Sequence, residues 1–251
     1  EQQLGTNLIR RNKGGYKLTR AGEKIRSAAL KVEKEITGVD GTLLRDRDPL
    51  TGTLRITTIN CLATTILMPM FAAFSKLYPQ ITLNIMASSE TVNLTNREAD
   101  VAIRQSNSPP EILIGKRVVT VSSTVYGNAD YLREHKANGG DLKWLGVSCC
   151  SFHRAWTKES SGSETHQFNS DDALLTLSAL RQGMGVSYLP CHIGDDEPTL
   201  RRYCKPARKF DLGLWVLIHP ESRSNLRVMA FRDFMIGAIK AQQHVFTGNV
   251  V

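Results

Sequence analysis

The sequence predicts an α/β fold with two lobes, and three observations support this prediction. Segments rich in β-branched residues alternate with amphipathic segments of helical period between residues 52 and 241, which is the order of a parallel sheet with crossover helices. A long apolar stretch without helical spacing, 113–125, can leave the first group of elements, and a strand at 214–218 can return to it. At 251 residues the chain can hold two cores. We therefore expect a cleft between two α/β lobes.

The order of elements sets the expected boundaries. The first lobe is predicted at 52–119 and 215–251, and the second at 120–214. Strands are predicted at 54–59, 81–86, 100–104, 145–148, 186–189 and 214–218, and helices before Tyr78, at 89–96, from Tyr131, after Asn169–Asp172 and at 228–241. The helix before Tyr78 has one apolar face, formed by Leu67, Met70, Phe71, Phe74 and Leu77, and the last helix is expected to point Val228, Phe231, Met235 and Ile239 inward. Ser170 is the expected N-cap of the helix that ends at Gly183. No element is predicted at 151–167, which is polar and weakly patterned.

Composition limits the cellular setting. No run of about 18 apolar residues is visible, so we expect no membrane-spanning helix, and no signal peptide is recognised. The five cysteines, an odd number, lack disulfide-like spacing: Cys61, Cys149, Cys150, Cys191 and Cys204. Reduced thiols in the cytoplasm fit this usage.

Positive charge is concentrated near the N-terminus. The net charge is +8, and residues 1–47 carry 11 basic and 6 acidic residues. Gly14-Gly15 can turn a short two-stranded ribbon, because glycine tolerates positive φ. A ribbon flanked by Arg and Lys can lie along a phosphate backbone, whereas the alternative is a solvated basic hairpin without a partner.

A long amphipathic helix is predicted at 19–47. Its apolar residues recur with spacings of three and four from Leu18 through Ile25 and Ile36 to Leu43, close to a heptad repeat. Thr19 is the expected N-cap, and Asp48-Pro49 ends the helix, which leaves a linker at 45–51. The stripe predicts a two-helix dimer seam, and packing against its own domain is the alternative.

The basic stretch resembles the end of the winged helix-turn-helix domain of LysR-type transcriptional regulators. The features that match, in order, are Leu4-Gly5, Leu8-Ile9, Arg11, the Gly14-Gly15 wing, Leu18-Thr19 and Ala21-Gly22-Glu23. Ile9 replaces the usual Phe. The resemblance implies that residues 1–18 end a DNA-binding domain, that 19–47 form the linker helix, and that the chain begins inside the recognition helix, so that the base-reading residues are mostly absent.

The remainder, 48–251, resembles the effector-binding domain of the same family, which has the type 2 periplasmic-binding-protein fold. The matching segments are Gly52–Ile56, Met68-Pro69, Tyr78-Pro79, Asp100–Arg104, Gly183–Val186 with Leu189-Pro190, and Pro220 with Arg223. The resemblance implies a cytoplasmic regulator that binds double-stranded DNA and a small-molecule effector, needs no cofactor, and forms dimers and tetramers. RNA polymerase is a further candidate partner.

Two groups of residues are predicted to carry function. DNA phosphates are expected to contact Arg10, Arg11, Lys13, Lys17 and Arg20. The effector is expected near polar residues at strand ends and helix starts, because ligands of open α/β sheets bind there: Asn60, Cys61, Thr64, Ser88, Ser89, Arg104, Gln105, Ser148 and Asn169. N-capping is the alternative for each hydroxyl, and a lobe-to-lobe ion pair is the alternative for Arg104.

Catalysis and metal binding lack a motif. The six histidines show no HExxH spacing, and the sequence contains no GxSxG elbow and no P-loop. Cys149-Cys150 with His153 is a weak metal or redox signal, and Asp195-Asp196-Glu197 is interpreted as a solvated acidic loop. We therefore predict no catalytic or metal-ligating residues. The alternatives are a solute-binding receptor of a transporter, which would lack the basic ribbon, and an enzyme on this fold.

Overall fold

The computed structural model describes residues 6–12, 15–29, 50–88, 99–148, 151–163 and 166–248. The chain divides into two compact units, Glu1–Pro49 and Leu50–Val251. Each unit is described by itself.

The first unit contains the predicted ribbon. Strands β1 (Ile9–Asn12) and β2 (Gly15–Leu18) pair antiparallel, with Arg10 opposite Lys17. The described part of the following helix, α1, covers 20–29. Thr19 caps it as predicted, because its hydroxyl accepts a hydrogen bond from the Gly22 backbone N–H at 3.1 Å. The rest of the predicted linker helix, including the second half of its apolar stripe, lies outside the described residues, as do Lys13 and Ser89.

The second unit contains two lobes, and lobe I is built on a five-stranded sheet. Its order is β4-β3-β5-β12-β6, formed by β3 (Gly52–Thr58), β4 (Ile81–Ala87), β5 (Val101–Ser106), β6 (Ile114–Val121) and β12 (Leu212–Ile218). β3 is parallel to β4 and β5, but β12 is antiparallel to β5 and β6. The prediction of a parallel sheet therefore holds for part of lobe I only.

Two helices cover one face of this sheet. Helix α2 (Asn60–Leu77) has a π-helical segment at Ala63–Leu67, and α7 is Leu226–Ala241. The predicted inward residues of α7, Val228, Phe231, Met235 and Ile239, are all buried. Phe74 of α2 packs edge-on against Phe231 with ring centroids 4.9 Å apart. The predicted inward position Leu77 is wrong, since this side chain is 60% exposed.

Helix α2 also corrects the expectation about apolar segments. Among the described residues, Asn60–Leu77 is long and apolar enough to cross a membrane by length and composition alone. Core helices of soluble proteins meet the same criterion. Leu62, Leu67 and Phe71 of α2 belong to the buried core of lobe I, so we interpret α2 as a core helix.

Lobe II has an antiparallel sheet of order β10-β7-β11 and a small parallel pair, β8-β9. The strands are β7 (Ser123–Asn128), β8 (Gly146–Val147), β9 (Asn169–Ser170), β10 (Val186–Pro190) and β11 (Leu200–Arg202). The helices are α3 (Ala129–Asn138), α4 (Ser151–Ser161), α5 (Ala173–Arg181) and α6 (Cys191–Gly194). Helix α4 occupies a segment for which the sequence predicted no element.

The lobes meet where the chain crosses between them. The sheet of lobe I extends to Val121 and resumes at Leu212, beyond the predicted limits at 119 and 215. The short C-terminal helix α8 (Gln243–Thr247) lies at this crossing. Its Phe246 carbonyl accepts a hydrogen bond from the Ser122 N–H at 2.9 Å, and Arg202 of β11 donates to the Gly248 carbonyl at 2.7 Å. The C-terminal helix therefore ties both lobes together.

Candidate functional site

The first turn of α2 contacts lobe II. Asn60 donates from Nδ2 to the carboxylate of Asp172 at 3.2 Å. The other oxygen of Asp172 accepts hydrogen bonds from the N–H groups of Leu174 and Leu175 at 2.8 and 2.9 Å, so Asp172 is the N-cap of α5. The predicted cap, Ser170, is wrong: its hydroxyl donates to the Asp172 carbonyl instead. One carboxylate thus caps a helix of lobe II and holds a side chain of lobe I.

Cys61 adds an apolar contact next to this bond. Its side chain is 7% exposed and belongs to a buried cluster with Tyr126, Leu177 and Ile193 of lobe II. The two lobes are therefore in direct contact at the start of α2, and Cys61 lies within this contact.

Arg104 organises the polar groups at the ends of the lobe I strands. Its guanidinium donates from Nη1 to the Ser88 carbonyl at 2.5 Å and from Nη2 to the Thr57 hydroxyl at 2.6 Å. Burial lowers the pKa of Arg104. Ser88 also donates its N–H to the Thr58 carbonyl at 3.0 Å. The predicted residues Ser88 and Arg104 are thus brought together.

Two further polar atoms at these strand ends are buried without a hydrogen-bond partner, namely Nε2 of Gln105 and Oγ1 of Thr58. Ile56 is paired with Val101 across β3 and β5, so the two-residue alternation of strands places Thr58 and Gln105 on the same face. Buried polar groups are usually satisfied, and an unsatisfied one is costly. Gln105 was predicted from sequence, whereas Thr58 was not, because a β-branched residue in a strand gives no signal of function.

Thr64 is exposed and bonds to its own helix. Its hydroxyl donates to the Asn60 carbonyl at 2.9 Å, and Thr65 donates likewise to the Cys61 carbonyl at 2.6 Å. π-Helical segments often occur at functional sites. Here the segment Ala63–Leu67 directly follows the turn that reaches lobe II.

The other two predicted residues lie in lobe II. Ser148 and Asn169 line a cavity of about 430 Å³ between β8, β9 and α4. The remaining lining residues are Gly146, Val147, Ser151, Arg154, Ala155, Thr157, Lys158, Ser163 and His166. Sequence reasoning missed the contribution of α4, because the helix itself was not predicted.

A chain of hydrogen bonds joins this cavity to the lobe contact. Ser148 donates to the Ser170 carbonyl from its N–H at 2.7 Å and from its hydroxyl at 3.3 Å. Ser170 is bonded in turn to the backbone of Asp172, at 2.9 and 3.1 Å, and Asp172 accepts from Asn60. Two of the predicted effector residues, Ser148 in lobe II and Asn60 in lobe I, are therefore connected through Ser170 and Asp172.

A polar network joins buried Tyr126 of β7 to partly exposed groups at the end of α6 and on β11. The Tyr126 hydroxyl donates to Asp195 at 2.7 Å, and Arg202 donates to both oxygens of the same carboxylate. Burial, followed by the neighbouring Cys191 and Asp195, raises the pKa of Tyr126. Glu197 pairs with Arg181. Asp195 and Asp196 are exposed and Glu197 is partly exposed, as the interpretation of a solvated loop expects, but Asp195 and Glu197 are also ion-paired. Within the described segments no group of three or more His, Cys, Asp or Glu could hold a metal ion.

The geometry of the second unit agrees with a comparison of sequences. A family model described as the LysR substrate binding domain matches residues 47–239. The chain belongs to the LysR family. One LysR relative, the HTH-type transcriptional regulator CrgA of Neisseria meningitidis serogroup C (strain 8013), is 24% identical over 253 residues, covering 94% of this chain and 83% of that protein.

Solved LysR structures share the fold. The full-length virulence activator AphB of Vibrio cholerae aligns with a TM-score of 0.63 at 19% identity and covers 94% of this chain and 85% of that chain. The regulatory domain of CrgA from Neisseria meningitidis aligns with a TM-score of 0.65 at 20% identity, covering 74% of this chain and 98% of that domain. The two-lobed α/β fold predicted from sequence is confirmed.

The first unit presents a cationic surface. Arg10 and Lys17 are exposed and lie directly opposite each other across β1 and β2. Like charges at opposed positions destabilise a strand pair. Exposed Arg20 begins α1, where a cation is also unfavourable for the helix dipole. The cross-strand pair of Arg10 and Lys17 thus lies close in sequence to the start of α1, and helix N-termini and basic side chains are common contacts for phosphate.

Proposed function

We propose that this LysR-family chain is a DNA-binding transcriptional regulator whose two-lobed domain senses a small molecule. The observation that carries the proposal is the opposed pair Arg10 and Lys17 on the hairpin. Two cations at one cross-strand position cost stability in the free protein, and an anionic partner offsets that cost. The name of the relative CrgA, an HTH-type transcriptional regulator, supports the same function.

The DNA-contacting residues in this proposal are Arg10, Arg11, Lys13, Lys17 and Arg20. Contacts from such side chains to phosphate fix the orientation of the protein on the duplex and carry no sequence information. Each neutralised phosphate releases counterions, so binding should weaken steeply with salt. A solute-binding receptor does not require this hairpin.

The effector is proposed to act at and around the lobe contact. The proposed residues are Asn60, Cys61, Thr64, Ser88, Ser89, Arg104, Gln105, Ser148 and Asn169. The Asn60–Asp172 hydrogen bond holds the lobes in one arrangement, and the orphaned polar atoms of Thr58 and Gln105 lie at the nearby strand ends. A ligand that satisfies such atoms stabilises the lobe arrangement in which they are accessible, which is a population shift.

Assembly and location complete the proposal. The apolar side chains of Leu18 and Ile25 are each 40% exposed in the first unit, which supports a dimer through the linker helix. The dimer is proposed to form tetramers in the cytoplasm and to act with RNA polymerase at promoters. No enzymatic activity and no cofactor are proposed.

A selection from random-sequence duplex DNA tests this function. We expect the full-length protein to enrich a partly palindromic motif and to retain less DNA at higher salt. Retention that does not change with salt, without enrichment, would contradict the proposal and favour a solute-binding receptor.

A further inference from the structure

The imidazole of His192 is buried in a position that gives it no hydrogen bond. His192 lies on α6 and is 4% exposed, and neither ring nitrogen has a hydrogen-bond partner among the described residues. A neutral imidazole has one donor and one acceptor nitrogen, and buried polar atoms of this kind are usually bonded. An apolar side chain of similar size would fill the position without the cost of two unmade hydrogen bonds. Packing alone therefore does not account for a histidine here.

His192 packs against the C-terminal helix α8. Its ring centroid lies 5.4 Å from that of Phe246, which is fully buried and belongs to the core of lobe I. Next to this ring contact, a Cβ on Gly248, the residue that ends α8, would lie 2.7 Å from the sulfur of Cys191. Two consecutive residues of α6 thus contact α8, and the second contact is as close as only glycine allows.

The contact between α6 and α8 lies at a crossing between the lobes. The Ser122 carbonyl accepts a hydrogen bond from the Cys191 N–H at 2.8 Å, and the Ser122 N–H donates to the Phe246 carbonyl at 2.9 Å. The crossing segment therefore bonds to both helices. Arg202 of β11 also donates to the Gly248 carbonyl at 2.7 Å. Release of α8 from α6 would thus remove part of the connection between lobe II and lobe I.

The described groups around α6 offer little negative charge to a protonated imidazole. The main elements packed against α6 are β7, β10, β11, α8 and the π-helical segment of α2. The titratable or charged residues of these elements and of α6 itself are Tyr126, Tyr188, Cys191, Arg201, Arg202 and His244. Burial raises the pKa of Tyr126, Tyr188 and Cys191, which keeps these groups neutral, and the other three are basic.

Asp195, at the end of α6, is the acid closest in sequence to His192. Both of its carboxylate oxygens accept hydrogen bonds from Arg202, and one also accepts from Tyr126. Burial lowers the pKa of His192 to about 4, against a smaller opposing effect of Asp195. A solvated histidine titrates near 6.5. The docked imidazole is therefore neutral at the pH at which a solvated imidazole begins to take up a proton.

Release of α8 would expose this imidazole to water. Between about pH 6.5 and 4 the released state then binds more protons than the docked state, so a fall in pH favours release. A charged imidazole in the docked position would have two N–H donors without acceptors, which is costly. We propose that the contact of His192 with Phe246 is a pH-sensitive switch, in which protonation of the imidazole releases α8 from lobe II.

The consequence for regulation rests on the proposed function. Because α8 connects the lobes, its release makes a different lobe arrangement more accessible, and a proton then shifts the same equilibrium that an effector shifts. The release of α8 itself does not depend on DNA or on an effector.

Hydrogen exchange of the full-length protein without DNA, followed by mass spectrometry, tests the switch. Protection factors are corrected for the pH dependence of intrinsic exchange. We expect the protection of residues 243–248 to fall about tenfold between about pH 7.5 and 5.5. At both pH values it should be lower than that of α7, because release of α8 leaves α7 folded, whereas global unfolding exposes both helices.

Three variants show whether His192 causes the change. In His192→Leu and in His192→Gln, which keeps a polar side chain, the protection of 243–248 should be the same at both pH values. His244→Gln is the matched control, since His244 is an exposed histidine of α8, and it should follow the parent.

Three results would overturn the proposal: no fall in the parent, an equal fall in both His192 variants, or equal protection of 243–248 and α7. DNA binding enters none of these results, so they are independent of the test of the proposed function.

Discussion

In lobe I one side chain, Arg104, joins polar groups at the strand ends by hydrogen bonds, whereas in lobe II polar side chains at the strand ends line a cavity. Arg104 joins the Ser88 carbonyl and the Thr57 hydroxyl, while Ser148 and Asn169 line the cavity beside α4. The same residue types therefore stabilise one lobe and create a potential ligand site in the other. Substituting the same residue type in each lobe should therefore show which arginine stabilises the fold and which does not.

The largest loss of stability is expected for Arg104→Ala. The substitution removes two hydrogen bonds that the charged guanidinium donates and leaves the fully buried Thr57 hydroxyl without this partner. The free energy of unfolding should fall by about 3 kcal/mol, measured by urea denaturation. Arg154→Gln, at an exposed position, should change it by less than about 0.5 kcal/mol. Similar losses in the two variants would remove the distinction between the lobes.

The next prediction concerns the pH dependence of stability that arises from His192, a buried residue of α6. Burial lowers its pKa to about 4, against a smaller opposing effect of Asp195, whereas an unfolded histidine titrates near 6.5. Between these values the unfolded chain binds more protons. The contribution of His192 to the free energy of unfolding is therefore constant above about pH 7. That free energy falls by up to about 3 kcal/mol as the pH drops to about 4.

The measurement is urea denaturation of parent and variants at several pH values. His192→Leu should flatten the decline between about pH 6.5 and 4. His244→Gln, on α8, serves as the control and should follow the parent. An unchanged pH profile in His192→Leu would show that His192 is not held neutral by burial.

A smaller loss of stability is expected when the contact between the lobes is weakened. Asn60→Ala removes the hydrogen bond to Asp172 but leaves the α5 cap and the Cys61 contact intact. Stability should decrease by about 1 kcal/mol, and small-angle scattering should show a shift toward a more open arrangement of the lobes. Thr64→Ala is the control, because its hydroxyl bonds within α2. An unchanged scattering profile in Asn60→Ala would mean that this bond does not hold the lobes.

The two lobes also differ in how far the sequence predicts them. The inward stripe of α7 follows helical spacing, so Phe231 and Ile239 were predicted and are buried. Helix α4 buries Trp156 together with the polar residues His153 and Thr157, so its inward face does not form an apolar stripe in the sequence. Its cavity was therefore missed. Ser148 was expected at the end of a strand and directly follows β8, whereas Asn169 was expected at a helix start and instead begins β9.

Contacts between residues that are far apart in the sequence were the hardest to predict from sequence patterns. Asp172 was recognised only as part of a helix start, and its second role depends on the position of Asn60 in another lobe. Ser170 and Asp172 are both good N-caps, and only the backbone path distinguishes them. The cation pair of Arg10 and Lys17 likewise follows from the register of the hairpin, which charge counting does not give.

The salt dependence of DNA binding tests the central claim most directly. Fluorescence anisotropy would compare the full-length protein with the double variant Arg10→Ala, Lys17→Ala on one duplex between 50 and 200 mM salt, roughly the range over which phosphate contacts dominate. We predict weaker binding at every sequence and a salt slope that is shallower by about 2. The double variant Lys136→Ala, Arg208→Ala, at exposed positions of lobe II, should match the parent. An unchanged slope in the hairpin variant would contradict the proposal that this hairpin binds DNA phosphates.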